Sequence, residues 1–242
     1  MDGALSGKRA LVTGASKGIG FAIAEALLRE GANVLICARN SGELEKAASG
    51  LKQSSSGKKV AAQAADVSKS EEVARLFEAV DRELGGLDIL INNAGLGIFR
   101  ATAELTVEEW DRVIGTNLSG AFYCSREALE RFQRSRGGAI INISSLAGKN
   151  PFAGGSAYNA SKFGMTGFSE AMMLDHRSDN VRVSYIMPGS VDTAFGGERG
   201  AQHASWKIAP EDIAEIVLGI LRMPERTLIS RVEVRPSRPQ KN

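Results

Sequence analysis

Two residues with complementary proton-transfer chemistry stand four positions apart in the second half of the chain. Tyr158 and Lys162 fall within a helical pattern, so both side chains lie on one face of the helix, with Cβ atoms roughly 5–6 Å apart. A free phenol has a pKa of about 10, and a neighbouring ammonium stabilises the phenolate. The pair therefore predicts a tyrosine of lowered pKa that acts as acid and base near neutral pH.

A glycine-rich segment near the amino terminus is suited to binding phosphate through its backbone. Residues 13–20 read Thr-Gly-Ala-Ser-Lys-Gly-Ile-Gly, directly after the first predicted strand and before the first predicted helix. Gly14, Gly18 and Gly20 permit a tight turn and let a pyrophosphate approach backbone N–H groups at the start of a helix. The spacing is one residue wider than the common Rossmann fingerprint, so a plain glycine-rich turn is the alternative. We predict a dinucleotide-binding loop.

The charge at the end of the second predicted strand indicates which dinucleotide is bound. Proteins that use NAD generally place a carboxylate there for the ribose 2′-hydroxyl, whereas a 2′-phosphate requires a cation. Residues 37–40 read Cys-Ala-Arg-Asn, without a carboxylate, and Lys17 lies within the glycine loop. A guanidinium forms forked hydrogen bonds with phosphate, and an ammonium adds a point charge. Arg39 and Lys17 therefore predict NADPH/NADP+ over NADH, the alternative being that both are ordinary surface charges.

The elements that must position these residues alternate along the chain. Short apolar runs predict seven strands, and the amphipathic stretches between them predict helices. The strands are expected near 10–12, 34–37, 60–62, 87–91, 139–143, 181–186 and 228–232, and the helices near 21–28, 43–52, 69–84, 106–134, 157–177 and 210–222. Such an order favours a parallel sheet with helices on both faces. We predict an α/β fold, a single doubly wound Rossmann domain over residues 1–242 with a seven-stranded parallel sheet.

Composition excludes several classes of function. The formal net charge is +2, with both signs spread along the chain, so we expect neither a nucleic acid nor a membrane as partner. Cys37, Cys124, His176 and His203 are the only cysteines and histidines and lie far apart, so we expect no metal site, disulfide framework or Ser-His-Asp triad. The sequence also shows no signal-peptide core or membrane-length apolar run, which favours a cytoplasmic protein.

Three further motifs carry a family resemblance. They are Asn-Asn-Ala-Gly at 92–95, Tyr-Asn-Ala-Ser-Lys at 158–162 and Pro-Gly at 188–189. Together with the glycine loop they make the chain resemble the short-chain dehydrogenase/reductases over roughly residues 6–235. The resemblance implies that the glycine loop holds NAD(P), that the Asn-Asn-Ala-Gly motif steadies the sheet near the adenosine, and that Asp66 and Val67 contact the adenine.

The resemblance also implies the catalytic roles. Ser145 lies 13 positions before Tyr158, the placement of the family's catalytic serine, and would donate a hydrogen bond to the substrate oxygen. We therefore choose it over Ser144. Lys162 would also bind the nicotinamide ribose, and Asn117 matches the helix asparagine that holds a water leading from Lys162 to solvent. Taken singly, Ser145 could instead cap a turn, Asn117 could bond a neighbouring carbonyl, and Tyr158 could merely pack.

The segment after the sixth predicted strand would bind the nicotinamide by the same resemblance. The backbone of 188–193 and the Thr193 side chain would lie beside the carboxamide, and residues 194–207 suit a mobile substrate lid. The complete predicted cofactor set is Gly14, Ser16, Lys17, Gly18, Ile19, Gly20, Arg39, Asp66, Val67, Asn93, Ala94, Gly95, Tyr158, Lys162, Pro188, Gly189, Val191 and Thr193. His203 is expected to be a surface residue and Cys124 a packing residue.

Large apolar residues near these motifs predict a moderately hydrophobic carbonyl substrate. The predicted substrate contacts are Ser145, Leu146, Ala147, Phe152, Phe195 and Trp206. The 3-oxoacyl-thioester reductases are the branch of nearest overall pattern, and Arg136 occupies a position where they face an acyl carrier protein. However, Ser-Asp-Asn at 178–180 lacks their second basic contact, although Arg177 is nearby, and the chain end also departs from theirs.

Several alternatives for activity and assembly therefore stay open. The substrate could be a thioester of acyl carrier protein or CoA, or a small ketone, diketone, steroid or sugar, reduced reversibly from carbonyl to secondary alcohol. A catalytically inactive NADP-binding regulator and a SAM-dependent methyltransferase are remote alternatives. By resemblance, the long helices near 106–134 and 157–177 would pair between subunits to form a homotetramer or homodimer.

Overall fold

Seven parallel strands form one sheet within the residues that the structure describes. The structure is a computed structural model that describes residues 3–55, 57–195 and 205–239. The strands are β1 (Arg9–Thr13), β2 (Asn33–Ala38), β3 (Val60–Ala64), β4 (Ile89–Asn92), β5 (Gly138–Ile143), β6 (Val181–Pro188) and β7 (Arg231–Val234). Their order in the sheet is β3-β2-β1-β4-β5-β6-β7. The predicted α/β class and the seven-stranded parallel sheet are confirmed.

Helices cover both faces of this sheet, as the buried runs in the strands require. They are α1 (Gly18–Arg29), α2 (Ser41–Ser54), α3 (Ser70–Leu84), α4 (Val107–Ile114), α5 (Gly120–Ser135), α6 (Ser156–His176) and α7 (Pro210–Leu221). Side chains alternate across the sheet. Ala10 and Val12 pack on the face covered by α1, α2 and α7, whereas Leu11 packs on the face of α3, α5 and α6. No helix in the described ranges is long and apolar enough to cross a membrane.

The predicted helix over 106–134 contains an irregularity that the sequence pattern does not reveal. α4 and α5 are joined by a π-helical turn, Gly115–Ser119, which places Asn117 in a wider turn than an α-helix. Such turns are often found at functional sites. The apolar period continues through the turn, so a pattern search reads one regular helix.

Two strands also begin later than the apolar runs that predicted them. Leu87 is buried, but Asp88 is held by the Arg9 backbone and guanidinium before β4 begins at Ile89. Ile229 packs against the core before the pairing of β7 with β6 begins at Arg231. Burial therefore starts before strand pairing at both places.

The sheet topology determines where a ligand can bind. Both neighbours of β1 are parallel to it, and the chain order runs outward in opposite directions from β1 and β4. In doubly wound sheets, ligands bind beyond the carboxyl ends of the strands at this switch point. The loops after β1, β4, β5 and β6 all reach that edge, and they carry part of the predicted site, including Gly14, Asn93 and Ser145.

Candidate active site

A large cleft opens at the carboxyl edge of the sheet. Its volume is about 1200 Å³, above the roughly 300–1,000 Å³ of most small-molecule pockets. The predicted residues that line it are Gly14, Ser16, Lys17, Gly18, Ile19, Arg39, Val67, Asn93, Ala94, Gly95, Ser145, Tyr158, Lys162, Pro188, Gly189, Val191, Thr193 and Phe195. One cavity therefore collects the glycine loop, the proposed proton donors and the segment after β6, with room for a dinucleotide and a substrate.

The glycine loop adopts a backbone that side chains would block. Gly14 and Gly18 have φ of +64° and +58°, in the left-handed region that favours glycine. A Cβ on Gly14 would also lie 2.7 Å from the Ala94 Cα atom, and one on Gly20 would overlap the Asn93 amide. Gly20 itself does not line the cleft, so its glycine is explained by packing against Asn93.

Asn93 and Thr13 lock the loops after β4 and β1 together. The Asn93 Nδ2 atom donates to the carbonyl oxygens of Thr13 and Gly14, each at 3.0 Å. In return, the Thr13 hydroxyl accepts the N–H groups of Asn93 and Ala94, each at 3.1 Å. This clamp ties the glycine loop at the start of α1 to the loop after β4.

The start of α1 has the chemistry of a phosphate site. Its first turn carries no acidic residue, and the N-cap residue, Lys17, makes no side-chain capping bond. Uncapped N–H groups at a helix start bind phosphate through hydrogen bonds and the helix dipole. Because Ser16, Gly18 and Ile19 line the cleft here, the residues present fit the pyrophosphate of a dinucleotide.

The proposed proton-transfer residues meet at the opposite side of the cleft. Tyr158 on α6 forms a side-chain hydrogen bond with Ser145, which follows β5. The Ser145 Oγ atom also accepts the Ala147 N–H at 3.1 Å, which orients the hydroxyl. The Lys162 Nζ atom donates to the Ile143 carbonyl at 2.8 Å and lies 5.8 Å from the centre of the Tyr158 ring. Three of the four predicted catalytic side chains are therefore in one cluster.

Burial sets the protonation of this cluster, and its effect on Tyr158 is opposite to the sequence-based expectation. Burial raises the pKa of Tyr158, and the hydrogen bond with Ser145 lowers it by less, so the pKa lies above its ordinary value. The same burial lowers the pKa of Lys162 to about 8. The expected lowering of the tyrosine pKa by the ammonium is therefore outweighed in this structure by desolvation of the phenolate.

The fourth predicted catalytic residue, Asn117, is fully buried and has its side chain bonded to protein groups. Its Nδ2 atom donates to the Leu96 carbonyl at 2.9 Å and to the Ser161 hydroxyl at 3.0 Å, and its Oδ1 atom accepts the Leu96 N–H at 2.8 Å. Ser161 in turn donates to the Tyr158 carbonyl at 2.8 Å. Asn117 thus joins the loop after β4 to the helix that carries Tyr158.

The far end of the cleft, toward β2, holds both predicted phosphate-binding cations and one carboxylate that sequence reasoning missed. Arg39 and Lys17 line this end, and Glu43 lies 3.4 Å from the Lys17 ammonium. Glu43 is brought there because Asn40 caps α2 by accepting the Glu43 N–H at 2.9 Å. An Asn followed three residues later by Glu is the sequence signal that could have revealed it.

Asp66, a predicted adenine contact, does not line the cleft, whereas the adjacent Val67 does. The Asp66 carboxylate accepts the N–H and hydroxyl of Ser68, at 3.0 and 2.8 Å. Burial raises the pKa of Asp66, but these hydrogen bonds and the charges of Arg39 and Lys69 bring it below its ordinary value. The carboxylate therefore stays ionised and shapes the turn after β3.

The predicted substrate residues divide into two groups. Ser145 and Phe195 line the cleft, whereas Leu146, Ala147, Phe152 and Trp206 lie outside its lining. Phe152 nevertheless contacts Tyr158, with ring centres 6.4 Å apart. His203 and the part of the predicted 194–207 lid that spans residues 196–204 lie outside the described residues.

Further lining residues were not named individually by the sequence analysis, although Ser190, Asp192, Ala194 and Lys207 fall within its predicted nicotinamide segment and lid. These further residues are Cys37, Ala38, Asn40, Glu43, Ala65, Leu96, Gly97, Thr116, Ile143, Ser144, Ser190, Asp192, Ala194 and Lys207. Most adjoin a predicted motif in the chain. Phe99 is a further omission, because its ring centre lies 5.6 Å from that of Tyr158 in an edge-on arrangement. Its position in the loop after β4 was the sequence feature that could have indicated its place beside the cleft.

Comparison with known proteins agrees with this geometry. The family model for short chain dehydrogenases matches residues 8–204. The chain belongs to the short-chain dehydrogenase family. An uncharacterized oxidoreductase of Staphylococcus aureus is 36% identical over 232 residues, covering 96% of this chain and 98% of that protein.

Solved structures of this family resemble the chain over almost its whole length. A metagenomic short-chain oxidoreductase in complex with NADP is 36% identical, with a TM-score of 0.85, covering 98% of this chain and 100% of that one. An alcohol dehydrogenase from the archaeon Thermococcus sibiricus, complexed with 5-hydroxy-NADP, is 32% identical, with a TM-score of 0.89, covering 97% and 99%. This short-chain dehydrogenase is therefore an oxidoreductase that uses NAD(P) and a small-molecule substrate.

Proposed function

We propose that this protein is an NADPH-dependent reductase that converts a carbonyl group to a secondary alcohol. The observation that carries the proposal is the meeting of Ser145, Tyr158 and Lys162 in the same cleft as Arg39 and Lys17. The first three supply proton transfer, and the last two supply the charge that a 2′-phosphate needs. The dinucleotide, when bound, supplies the hydride.

Each residue of the cluster has a role that follows from its contacts. Tyr158 holds a proton on its hydroxyl and gives it to the substrate oxygen, and the raised pKa keeps that proton in place at neutral pH. Ser145 shares the hydrogen bond with Tyr158 and stabilises negative charge on the same oxygen. Lys162 fixes its ammonium on the Ile143 carbonyl behind the tyrosine and favours loss of the phenolic proton as it is transferred.

The preference for NADPH rests on the cations at the far end of the cleft. Arg39 is exposed there, and Lys17 faces the same space from the glycine loop. Two structures that resemble this chain contain NADP or a derivative of it, which supports the same choice. Glu43 opposes it, because its carboxylate pairs with Lys17 and would repel a phosphate.

The position of Arg136 supports a small carbonyl compound over a carrier-protein thioester. Arg136 ends α5 just before β5, and Arg177 lies just before β6, so both stand at the amino edge of the sheet. The cleft opens at the carboxyl edge, and a strand of six residues such as β5 spans roughly 20 Å. Neither arginine therefore faces the cleft of its own chain.

Two further expectations stay predictions. Phe122 on α5 and Phe163 and Leu174 on α6 are large exposed apolar side chains, which supports pairing of these helices in a homodimer or homotetramer. The second expectation is a cytoplasmic location, which we also propose.

The proposed function is tested by replacing the proton donor alone. Purified protein is mixed with NADPH and a panel of aryl ketones, aliphatic ketones, sugars and acetoacetyl thioesters, and loss of nicotinamide absorbance is followed. We expect turnover of at least one ketone, and we expect Tyr158→Phe to lower kcat by orders of magnitude while the Kd for NADPH is unchanged. Tyr123→Phe, on α5, is the control. Saturable NADPH binding without oxidation on any substrate, or full turnover by Tyr158→Phe, would contradict the proposal.

A further inference from the structure

Three phenylalanine rings surround Tyr158 at the mouth of the cleft. The ring centres of Phe99, Phe152 and Phe195 lie 5.6, 6.4 and 5.7 Å from that of Tyr158. Phe99 and Phe152 also contact each other, with ring centres 5.7 Å apart. We call these three residues the aromatic box. Its members come from three separate loops, after β4, before α6 and after β6.

Hydrogen bonds between these loops hold the aromatic box in place. Residues Arg100 and Gly155 form a parallel bridge next to Phe99 and Phe152. Just beyond the bridge, the hydroxyls of Thr102 and Ser156 are joined at 2.6 Å. The Asn159 amide donates to the Phe152 carbonyl at 2.9 Å. The loops that carry Phe99 and Phe152 are therefore fixed to each other and to α6, the helix that carries Tyr158.

Two glycines keep space for the rings. A Cβ on Gly97 would lie 2.6 Å from the Phe99 Cζ atom and 3.0 Å from the Phe195 Cε1 atom. A Cβ on Gly155 would lie 2.6 Å from the Phe152 Cε2 atom. A Cβ this close cannot coexist with the rings in their present positions, so the box requires glycine at both places.

The rings are packed against Tyr158 but are far from buried. Phe99, Phe152 and Phe195 are 45%, 46% and 42% exposed, whereas Tyr158 is 9% exposed. Large apolar surface that stands open beside a reactive group is a common property of ligand sites. Arg100, the charged residue next to Phe99, donates a hydrogen bond to the Glu109 carboxylate at 2.8 Å, so its guanidinium is paired with that carboxylate.

We propose that the aromatic box binds an aromatic ring of the carbonyl substrate and so makes this protein a reductase of aryl-bearing ketones. This inference rests on the proposed function. The rings are inclined at 48° to 76° to Tyr158, so they present both faces and edges. An aromatic ligand gains binding free energy from contacts with both the faces and the edges of these rings, because ring edges are positive and ring faces negative. A saturated ring of similar size gains only the free energy of burying its apolar surface. Phe99 is then the specificity-determining residue that no sequence motif marks.

The test compares two ketones that differ only in the ring. In 1-phenylpropan-2-one and 1-cyclohexylpropan-2-one a methylene separates the carbonyl from the ring, so the reactivity of the two carbonyls is similar. We expect kcat/KM for the phenyl ketone to exceed that for the cyclohexyl ketone by roughly tenfold. In Phe99→Leu the ratio should fall to roughly twofold or less. Phe122→Leu, which replaces an equally exposed phenylalanine on α5 whose ring contacts Tyr123 and Phe168, should keep the full ratio.

A second variant keeps the test valid if Phe99→Leu does not fold. Gly97→Ala displaces the Phe99 and Phe195 rings while leaving Ser145, Tyr158 and Lys162 intact, so it should also lower the ratio. Turnover of both ketones at equal kcat/KM, or a ratio that neither variant changes, would overturn the aromatic box while leaving the proposed function standing.

Failure of the proposed function gives a different result. If wild type oxidises NADPH with neither ketone, the box is tested by binding of the two ketones to the protein with NADP+ present, measured by ligand-observed NMR. Tighter binding of the phenyl ketone that is lost in Phe99→Leu supports the box, and equal binding of both overturns it.

Discussion

Replacing Lys162 by methionine should abolish turnover and at the same time remove a cost to stability. Lys162 is 4% exposed, and burial lowers its pKa from 10.5 to about 8. A shift of that size corresponds to roughly 3 kcal/mol of penalty for holding the charged lysine in the fold at neutral pH. The hydrogen bond to the Ile143 carbonyl offsets about 1 kcal/mol of this penalty. Methionine fills similar space without a charge.

The sign of the pH dependence follows from the same shift. Because the pKa is lower in the folded protein, the unfolded chain binds more protons between pH 8 and 10.5, and stability rises with pH across that window. The penalty is complete below the folded pKa and falls to roughly 1 kcal/mol at about pH 9.5. Wild type should therefore gain about 2 kcal/mol over Lys162→Met between about pH 7 and 9.5, since other titrating groups are common to both proteins.

The assay is urea denaturation of both proteins at the two pH values. We expect Lys162→Met to be at least as stable as wild type at pH 7 and to lose that advantage at pH 9.5. Lys46→Met, on the exposed side of α2, is the control for the substitution itself. A difference in unfolding free energy between wild type and Lys162→Met that is the same at both pH values would refute the reasoning.

Three further substitutions test the cofactor end of the cleft and the support of α6. Glu43→Gln removes the carboxylate beside Lys17 and should tighten NADPH binding roughly two- to fivefold, whereas Arg39→Asp should abolish the preference for NADPH over NADH. Fluorescence titration with both dinucleotides measures the Kd values, and Glu45→Gln is the control. Unchanged Kd values would count against the assignment. Ser161→Ala leaves an Asn117 N–H without its partner and should lower the free energy of unfolding by about 1–3 kcal/mol. The control, Ser49→Ala at the surface, should change that free energy by less than about 0.5 kcal/mol. Equal effects of the two substitutions would show that the Asn117 contact is not what stabilises α6.

The fold was predictable because its strands are buried on both faces and therefore read as continuous apolar runs. β5 and β6 are examples, with almost every residue buried between the two helix layers. The clustering of Ser145, Tyr158 and Lys162 was also predictable, since α6 places the last two one turn apart and β5 leads to the first. Such features depend on local periodicity and on strand order.

The remaining features depend on how distant segments meet, which periodicity does not encode. Phe99 reaches Tyr158 because a loop after β4 is bridged to the segment before α6. Glu43 reaches Lys17 because α2 begins just beyond β2. The π-helical turn at Asn117 widens one turn of a helix without changing its apolar pattern. Each of these three features is visible only in the folded structure.

The raised pKa of Tyr158 also depends on three-dimensional packing, and it bears on the direction of the reaction. Reduction of a carbonyl requires a phenol that still holds its proton, whereas oxidation of an alcohol requires the phenolate. Burial raises the pKa of Tyr158 and lowers that of Lys162, so desolvation opposes the charged form of each. At neutral pH the pair is therefore a phenol beside an ammonium, because both values still lie above 7. The packing around α6 therefore leaves Tyr158 in the protonated form that reduction of a carbonyl requires.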